Sequence, residues 1–384
     1  MLAFSGARIF DGFSWYENRA LVVRDGVVVG VEKTVPQRAE NIQLDGGILA
    51  PGLIDLQVNG GGGVLLNESP TLEGIETICR SHVQVGATSL LPTLITDSPE
   101  ITAAALSAGI EAAQRRVPGF LGLHLEGPHL SLARKGAHDP KLIRPMEEAD
   151  LAQLIEARKA LPNLLLTVAA ETVSPEQIRV LSAAGVIVSI GHSDAGFDLA
   201  RAGFAAGASM ATHLFNAMSQ FGHREPGLVG AVLATENVFA GLIADGLHVH
   251  PASIGAALRA KSGPGRIFLV SDAMSVTGTD LQSFTLNDRL IRRDKGALRL
   301  EDGTLAGADL TLLQAVCFMV KQIGLTAGEA LRMASLYPAQ AMGISGQYGQ
   351  LRPGAMADVV HVSDDLNMRG NWLKGKPGYL APSA

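Results

Sequence analysis

The sequence predicts an α/β fold: a (β/α)8, TIM-like barrel with a small β-sandwich domain built from both termini. Three observations predict it. Eight short apolar runs between Leu53 and Val270 are separated by helical patterns or long loops, the rhythm of a closed parallel sheet. The first 49 residues read instead as short strands and turns. A last strand-like run, residues 357–362, follows the final helices and returns the chain to the N-terminal strands.

Residues 20–23 and 27–31 flank Arg24-Asp25-Gly26, a hairpin with an Asp-Gly signal. The chain changes character at Ile48-Leu49-Ala50-Pro51-Gly52. Barrel strands are expected at 53–58, 89–94, 119–125, 164–169, 186–190, 210–214, 238–243 and 267–270. Residues 147–161 carry Leu151, Leu154, Ile155 and Leu161 at helical spacing behind an acid-rich start, as a helix N-terminus prefers. Residues 275–308 read as an excursion of short strands. Helix resumes over 310–323 and 327–335 and stops at Pro338. The expected division is a discontinuous small β domain, 1–49 and 350–384, around a catalytic barrel, 50–349. The rival architecture is an open doubly wound sheet. It lacks a Gly-x-Gly-x-x-Gly after its first strand, and the Gly60–Gly63 cluster has the wrong spacing.

Composition narrows the function. A chain of 384 residues suits one large barrel with an accessory domain. Hydrophobic residues at 47% and charged residues at 18% imply a sizeable interior. The net charge of -6 and the lack of a long basic run argue against nucleic acid as a partner. No apolar run reaches about 18 residues, so no membrane partner is expected. Met1 to Asp11 shows no signal-peptide pattern. Cys79 and Cys317 sit in apolar helical patterns and read as core residues of a reducing, cytoplasmic compartment.

Chemistry concentrates at the carboxyl ends of the expected strands. His124-Leu125-Glu126-Gly127-Pro128 ends the third, Gly191-His192-Ser193 the fifth and Thr212-His213-Leu214-Phe215-Asn216 the sixth. Asp245-Gly246-Leu247-His248 ends the seventh, and Ser271-Asp272-Ala273 the eighth. In a barrel that rim gathers residues distant in sequence. Glu126, His192 and His213 form a two-His, one-carboxylate set, which suits a catalytic divalent cation with a position left for water. Asp272 is the candidate base beside that water. Each residue also has a plainer reading: a structural histidine, a turn, or a helix cap. Four such residues at the same end of four strands favour the site, and residue patterns alone stop at a metal hydrolase on a barrel.

Several segments together carry a resemblance: Asp55-Leu-Gln57-Val-Asn59-Gly60-Gly61, His124 to Pro128, Lys135-Gly136-Ala137-His138, Gly191-His192-Ser193, Ala211 to Met218, Arg224-Glu225-Pro226-Gly227, Ala244 to His248, and Val270 to Ala273. With Pro51-Gly52-Leu53-Ile54-Asp55, they make the chain resemble the amidohydrolase superfamily from about residue 5 to 362. Within it the chain resembles the N-acetylglucosamine-6-phosphate deacetylases. That resemblance implies a metal-dependent amidohydrolase-type barrel hydrolysing the acetamide of a phosphorylated amino sugar. Glu126, His192 and His213 would hold one divalent metal ion per subunit, zinc or alternatively iron. Asp272 would take a proton from water and return it to the leaving amine. His138 would polarise the acetyl carbonyl. Asn216, Ala217, Arg224 and His248 would bind the sugar phosphate, with Arg224 and His248 reaching in part across a homodimer interface. Many superfamily members place His-x-His after the first strand. Here it is Gln57-Val-Asn59, so a second metal is expected to be absent or weak, or these amides hydrogen-bond to the metal ligands.

Two other enzymatic readings stay open. One is the N-acetylgalactosamine 6-phosphate epimer as substrate. The other is a cyclic amidase or deaminase, which calls for the two-metal His-x-His. A catalytically dead scaffold barrel is a reading from another class and predicts loss of ligands or base, all of which are present.

Overall fold

A computed structural model of the chain describes residues 1–287 and 289–381. Eight parallel strands hydrogen-bond in chain order. They are β1 (Leu53–Val58), β2 (Ala87–Ile95), β3 (Leu123–Glu126), β4 (Leu164–Val168), β5 (Ile187–Ile190), β6 (Met210–Ala211), β7 (Phe239–Leu242) and β8 (Ile267–Leu269). The ring closes just past β8. Asp272 N donates to Gln57 O at 3.0 Å, and Val58 and Ala273 form a parallel bridge. Every residue of β1 and β2 is buried, which is why these strands read as unbroken apolar runs rather than alternating ones.

Helices α1 (Leu72–Gln84), α2 (Pro99–Arg115), α3 (Glu148–Ala160), α4 (Pro175–Ala183), α5 (Phe197–Ala206), α6 (Gly227–Ala234) and α7 (Pro251–Ala260) follow β1 to β7 in turn. Their starts are written in sequence. Ser98 and Ser174 each precede a proline and accept a backbone N–H, from Ile101 at 3.3 Å and Gln177 at 3.2 Å. Such a cap is worth about 1 kcal/mol. Helix α8 (Leu312–Lys321) opens on a reciprocal box between Thr311 and Gln314.

Three expectations need correction. The third strand begins at Leu123, not at 119, because Gly119 and Gly122 turn the backbone at φ +84 and +145. The sixth is two residues long, since His213 leaves the strand at φ 30. Helix does not stop at Pro338 but includes it in a short turn, Leu336–Ala341, where a missing N–H loses no partner.

Both chain ends build a β sandwich. One sheet of four strands comes from the N-terminal segment. A six-stranded sheet pairs Ile48–Pro51 with Val359–Val362 from the far end, antiparallel. Between the sheets lie Phe4, Ile9, Leu21, Leu49, Val359 and Trp372, with Phe4 edge-on to Trp372 at 5.0 Å. The excursion at 275–308 forms a separate four-stranded antiparallel sheet packed through Leu286, Ile291 and Leu298 on Met274. Among the described residues, no helix is long and apolar enough to cross a membrane.

His82 on α1 is wholly buried, and its Nε2 lies 2.9 Å from Gly60 O, beside the end of β1. Burial lowers its pKa to about 4 although the Gly60 carbonyl opposes this. A histidine depressed on folding contributes stability above its unfolded pKa, and that contribution is lost as pH falls from about 6.5 towards 4. His82→Gln can keep the Gly60 contact without titrating. The stability of wild type relative to this variant is expected to fall by on the order of 3 kcal/mol between pH 7 and pH 4. Urea unfolding of both proteins across that range checks it, and a constant difference would refute the neutral-histidine assignment.

Candidate metal centre and catalytic cleft

Glu126 ends β3, His192 follows β5 by two residues and His213 follows β6 by two. All three are buried. His213 Nε2 lies 3.1 Å from Glu126 Oε1 and 3.1 Å from His192 Nε2, and His192 Nε2 lies 3.3 Å from Glu126 Oε1. These three form a group able to hold a metal ion. A tetrahedral cation about 2.0–2.2 Å from each ligand atom sets those atoms roughly 3.3–3.6 Å apart, close to the triangle seen. Tautomer chemistry fits as well. His192 Nδ1 lies 2.8 Å from Arg134 O and must be the N–H that donates to it. With Nδ1 donating there, a metal-bound His192 would present Nε2 towards Glu126 and His213.

The electrostatics ask for positive charge at this point. Burial pushes the Glu126 carboxyl up, but hydrogen bonds and charge from His192 and His213 outweigh it and hold it well below the usual range. Burial pushes His213 down, and Glu126 pulls it back above its ordinary value. Asp272 sits across from Glu126 at the closing seam. Burial first, then the Glu126 charge, raise it to about 6.

Gln57 and Asn59 connect these groups. Gln57 Nε2 donates to Glu126 Oε1 at 3.0 Å and to Asp272 Oδ1 at 3.1 Å. Asn59 Nδ2 donates to the same Asp272 oxygen at 2.7 Å. Both amides thus spend their donors on carboxylates.

His138 closes one wall. Its Nδ1 lies 2.8 Å from Thr96 Oγ1, its Nε2 lies 3.9 Å from Glu126 Oε2, and its ring is edge-on to His192 at 4.4 Å. Burial, then the His192 charge, push it well below the ordinary imidazole value, so it is neutral. Gly136 makes the packing possible: a Cβ there would sit 3.2 Å from His192 Cε1.

A cavity of about 240 Å3 opens over the cluster. Asn216, Ala217 and His248 line it with the groups above, and Leu286 and Thr304 to Gly307 roof it from the excursion sheet. His248 thus lines its own chain's cleft. Asp245 fixes its ring: Oδ2 lies 2.6 Å from His248 Nδ1, and Oδ1 accepts from Leu247 N and His248 N, each at 2.8 Å. Arg224 is exposed in the loop before α6 and does not line this cavity.

Sequence reasoning missed Thr96 and the Arg134 carbonyl, which hold His138 and His192. A threonine among apolar residues and a backbone oxygen give no chemical signal. It also missed the strain. His192, His213, Ala217 and Asp272 all have positive φ, between 30 and 51, a region costly for residues with a Cβ. His124 is not with the metal-binding group. It lies inside the barrel, 2.8 Å from Thr167 Oγ1, and burial lowers it to about 4.

The model of the amidohydrolase family matches residues 48–378. The chain belongs to the amidohydrolase family. As a member of that family it is 40% identical to the N-acetylgalactosamine-6-phosphate deacetylase of Shewanella sp. (strain ANA-3), over 100% of this chain and 98% of that protein. It is 34% identical to the crystal structure of N-acetylglucosamine-6-phosphate deacetylase from Pasteurella multocida, with a TM-score of 0.94 over 98% of this chain and 99% of that one. A mutant of the Mycobacterium smegmatis N-acetyl-D-glucosamine-6-phosphate deacetylase, solved with N-acetyl-D-glucosamine-6-phosphate, matches at 31% identity and a TM-score of 0.90, over 98% and 99% of the two chains.

One tightly held divalent ion per chain is expected from elemental analysis of purified protein. Glu126→Gln should reduce it to well under half an equivalent, while Asp272→Asn should retain it. Two tightly held ions in wild type would contradict the assignment of Gln57 and Asn59 as hydrogen-bond donors.

Proposed function

We propose that this amidohydrolase removes the acetyl group of N-acetyl-D-glucosamine 6-phosphate, giving D-glucosamine 6-phosphate and acetate. The observation that carries the proposal is the Glu126, His192 and His213 triangle, with Asp272 joined to it through Gln57. A divalent cation held there, zinc or iron, supplies Lewis acidity towards the amide carbonyl and the attacking water. The other steps belong to the chain. Asp272 is raised to about 6, so at neutral pH it is ionised yet basic enough to accept the proton of the water and return it to the leaving nitrogen. Asn59 and Gln57 fix the oxygen that does this. His138 faces the acetyl carbonyl. Asn216, Ala217 and His248 bind the sugar phosphate, His248 held by Asp245.

The galacto epimer is the second reading, favoured by the relative at 40% identity. Acetate release from both epimers, and from unphosphorylated N-acetylglucosamine, decides between them. The expected result is a higher kcat/KM for the gluco phosphate than for the galacto phosphate, and a loss of at least about a hundredfold without the phosphate. Equal values with and without phosphate would remove the phosphate site, and a preference for the galacto compound would change the substrate.

Arg224 lies outside its own cleft, which supports a homodimer in which it serves the neighbouring subunit. Asp272→Asn and Arg224→Ala are each expected to be nearly inactive, the first by at least about a hundredfold in kcat. Co-expressed in equal amounts, they form about half mixed dimers by random pairing. If Arg224 acts across the interface, one site of each mixed dimer is intact, and activity recovers towards about a quarter of wild type. No recovery, with mixed dimers present, places the arginine in its own subunit's service or in none.

A further inference from the structure

The catalytic cleft is not the largest hollow among the described residues. A cavity of about 600 Å3 lies at the other end of the barrel, where β2 and β3 begin and the six-stranded sheet packs beneath them. Thr88, Ser89 and Phe120 face it from the barrel, and Tyr348, Asp358 and Leu373 from the sandwich side. Its volume is within the range of about 300–1,000 Å3 typical of small-molecule sites. The catalytic reading makes no use of it.

Three kinds of group line this cavity. Its apolar lining is Val83, Val117, Pro118, Phe120, Leu373 and Pro377. At its floor is one buried carboxylate, Asp358, which is 8% exposed. Asp358 Oδ1 accepts Lys374 N at 2.6 Å, and the Ser89 hydroxyl is its other hydrogen-bonding neighbour. A carboxylate has about four lone-pair positions, so acceptor capacity remains. Burial raises its pKa to about 6, leaving it charged at neutral pH. At the rim stand Arg80, Arg116, Lys374 and Lys376, all exposed, with Glu76 the one other acid. Arg80 bonds only to the Thr77 hydroxyl, at 3.2 Å, and none of the four cations joins an ion pair among the described residues.

Each group selects part of a ligand. An apolar lining that includes Phe120, Pro118 and Pro377 suits an aromatic ring system. A buried carboxylate needs N–H or O–H donors, as on the amino-bearing edge of a nucleobase. A group of unpaired cations suits phosphate. A sugar phosphate alone would leave the apolar walls unused, and a simple aromatic acid would bring no donor to the lone pairs of Asp358 that Lys374 N and Ser89 leave free. We propose that this cavity is a second binding site, for a purine nucleotide: the amino-bearing base edge on Asp358, the ring on the apolar lining that includes Phe120 and Pro377, and the phosphates on Arg80, Arg116, Lys374 and Lys376. The inference does not depend on the deacetylase reading, because the two cavities share no residue.

The test is isothermal titration of the full-length, metal-loaded protein with ADP and with GDP. At least one of them is expected to bind at one site per chain. Arg80 and Arg116 are exposed, so Arg80→Ala/Arg116→Ala should fold normally. It should weaken that binding by about tenfold or more, the scale of charge-assisted contacts. Asp358→Asn, with folding checked by circular dichroism, should weaken it as well. Absence of binding by both nucleotides at millimolar concentration overturns the proposal. So does binding that Arg80→Ala/Arg116→Ala leaves unchanged, because the nucleotide would then sit elsewhere.

Discussion

Two buried carboxylates share one amide, and the rest of the site is arranged around that fact. Glu126 and Asp272 both accept from Gln57 Nε2. Like charges this close in a poorly solvated pocket cannot behave alike, and their environments divide the work. Glu126 has two imidazoles against it and stays ionised. Asp272 has only amide donors and rises towards neutrality. Two groups of the same intrinsic chemistry are set apart by their surroundings alone, the division that the proposed ligand and base require. The pair also explains why the first strand ends in amides. An imidazole at Gln57 would add a metal ligand and take away the donor common to both carboxylates.

The barrel was legible because its strands are buried on both faces, so sequence shows eight apolar runs. Its rim was legible because Glu126, His192, His213 and Asp272 each break an apolar run at the same end. What periodicity does not carry is direction after the strand ends. His213 looks like the fourth residue of a strand, but its positive φ makes it the first residue of a turn. Nothing in the histidine side chain announces that. The same blindness hid Thr96 and the Arg134 carbonyl.

Position along a loop was similarly easier to read than reach. The resemblance treated Arg224 and His248 alike, as residues extending in part to a neighbour. The fold separates them. His248 stands three residues after Asp245, which locks its ring into the home cleft. Arg224 follows a glycine-bearing loop outward, and no acidic side chain among the described residues pairs with it to draw it back.

The seam where the ring closes has a consequence for how the enzyme comes to life. Gln57 and Asp272 are 215 residues apart, and their contact forms at the last gap in the cylinder. Such a distant pairing carries a large loop-closure entropy and belongs late in folding. A nascent chain that has emerged past β7 carries Glu126, His192 and His213 but not yet Asp272. On the proposed roles, hydrolytic competence requires the closed cylinder, because the Gln57 contact that fixes Asp272 exists only across that last gap.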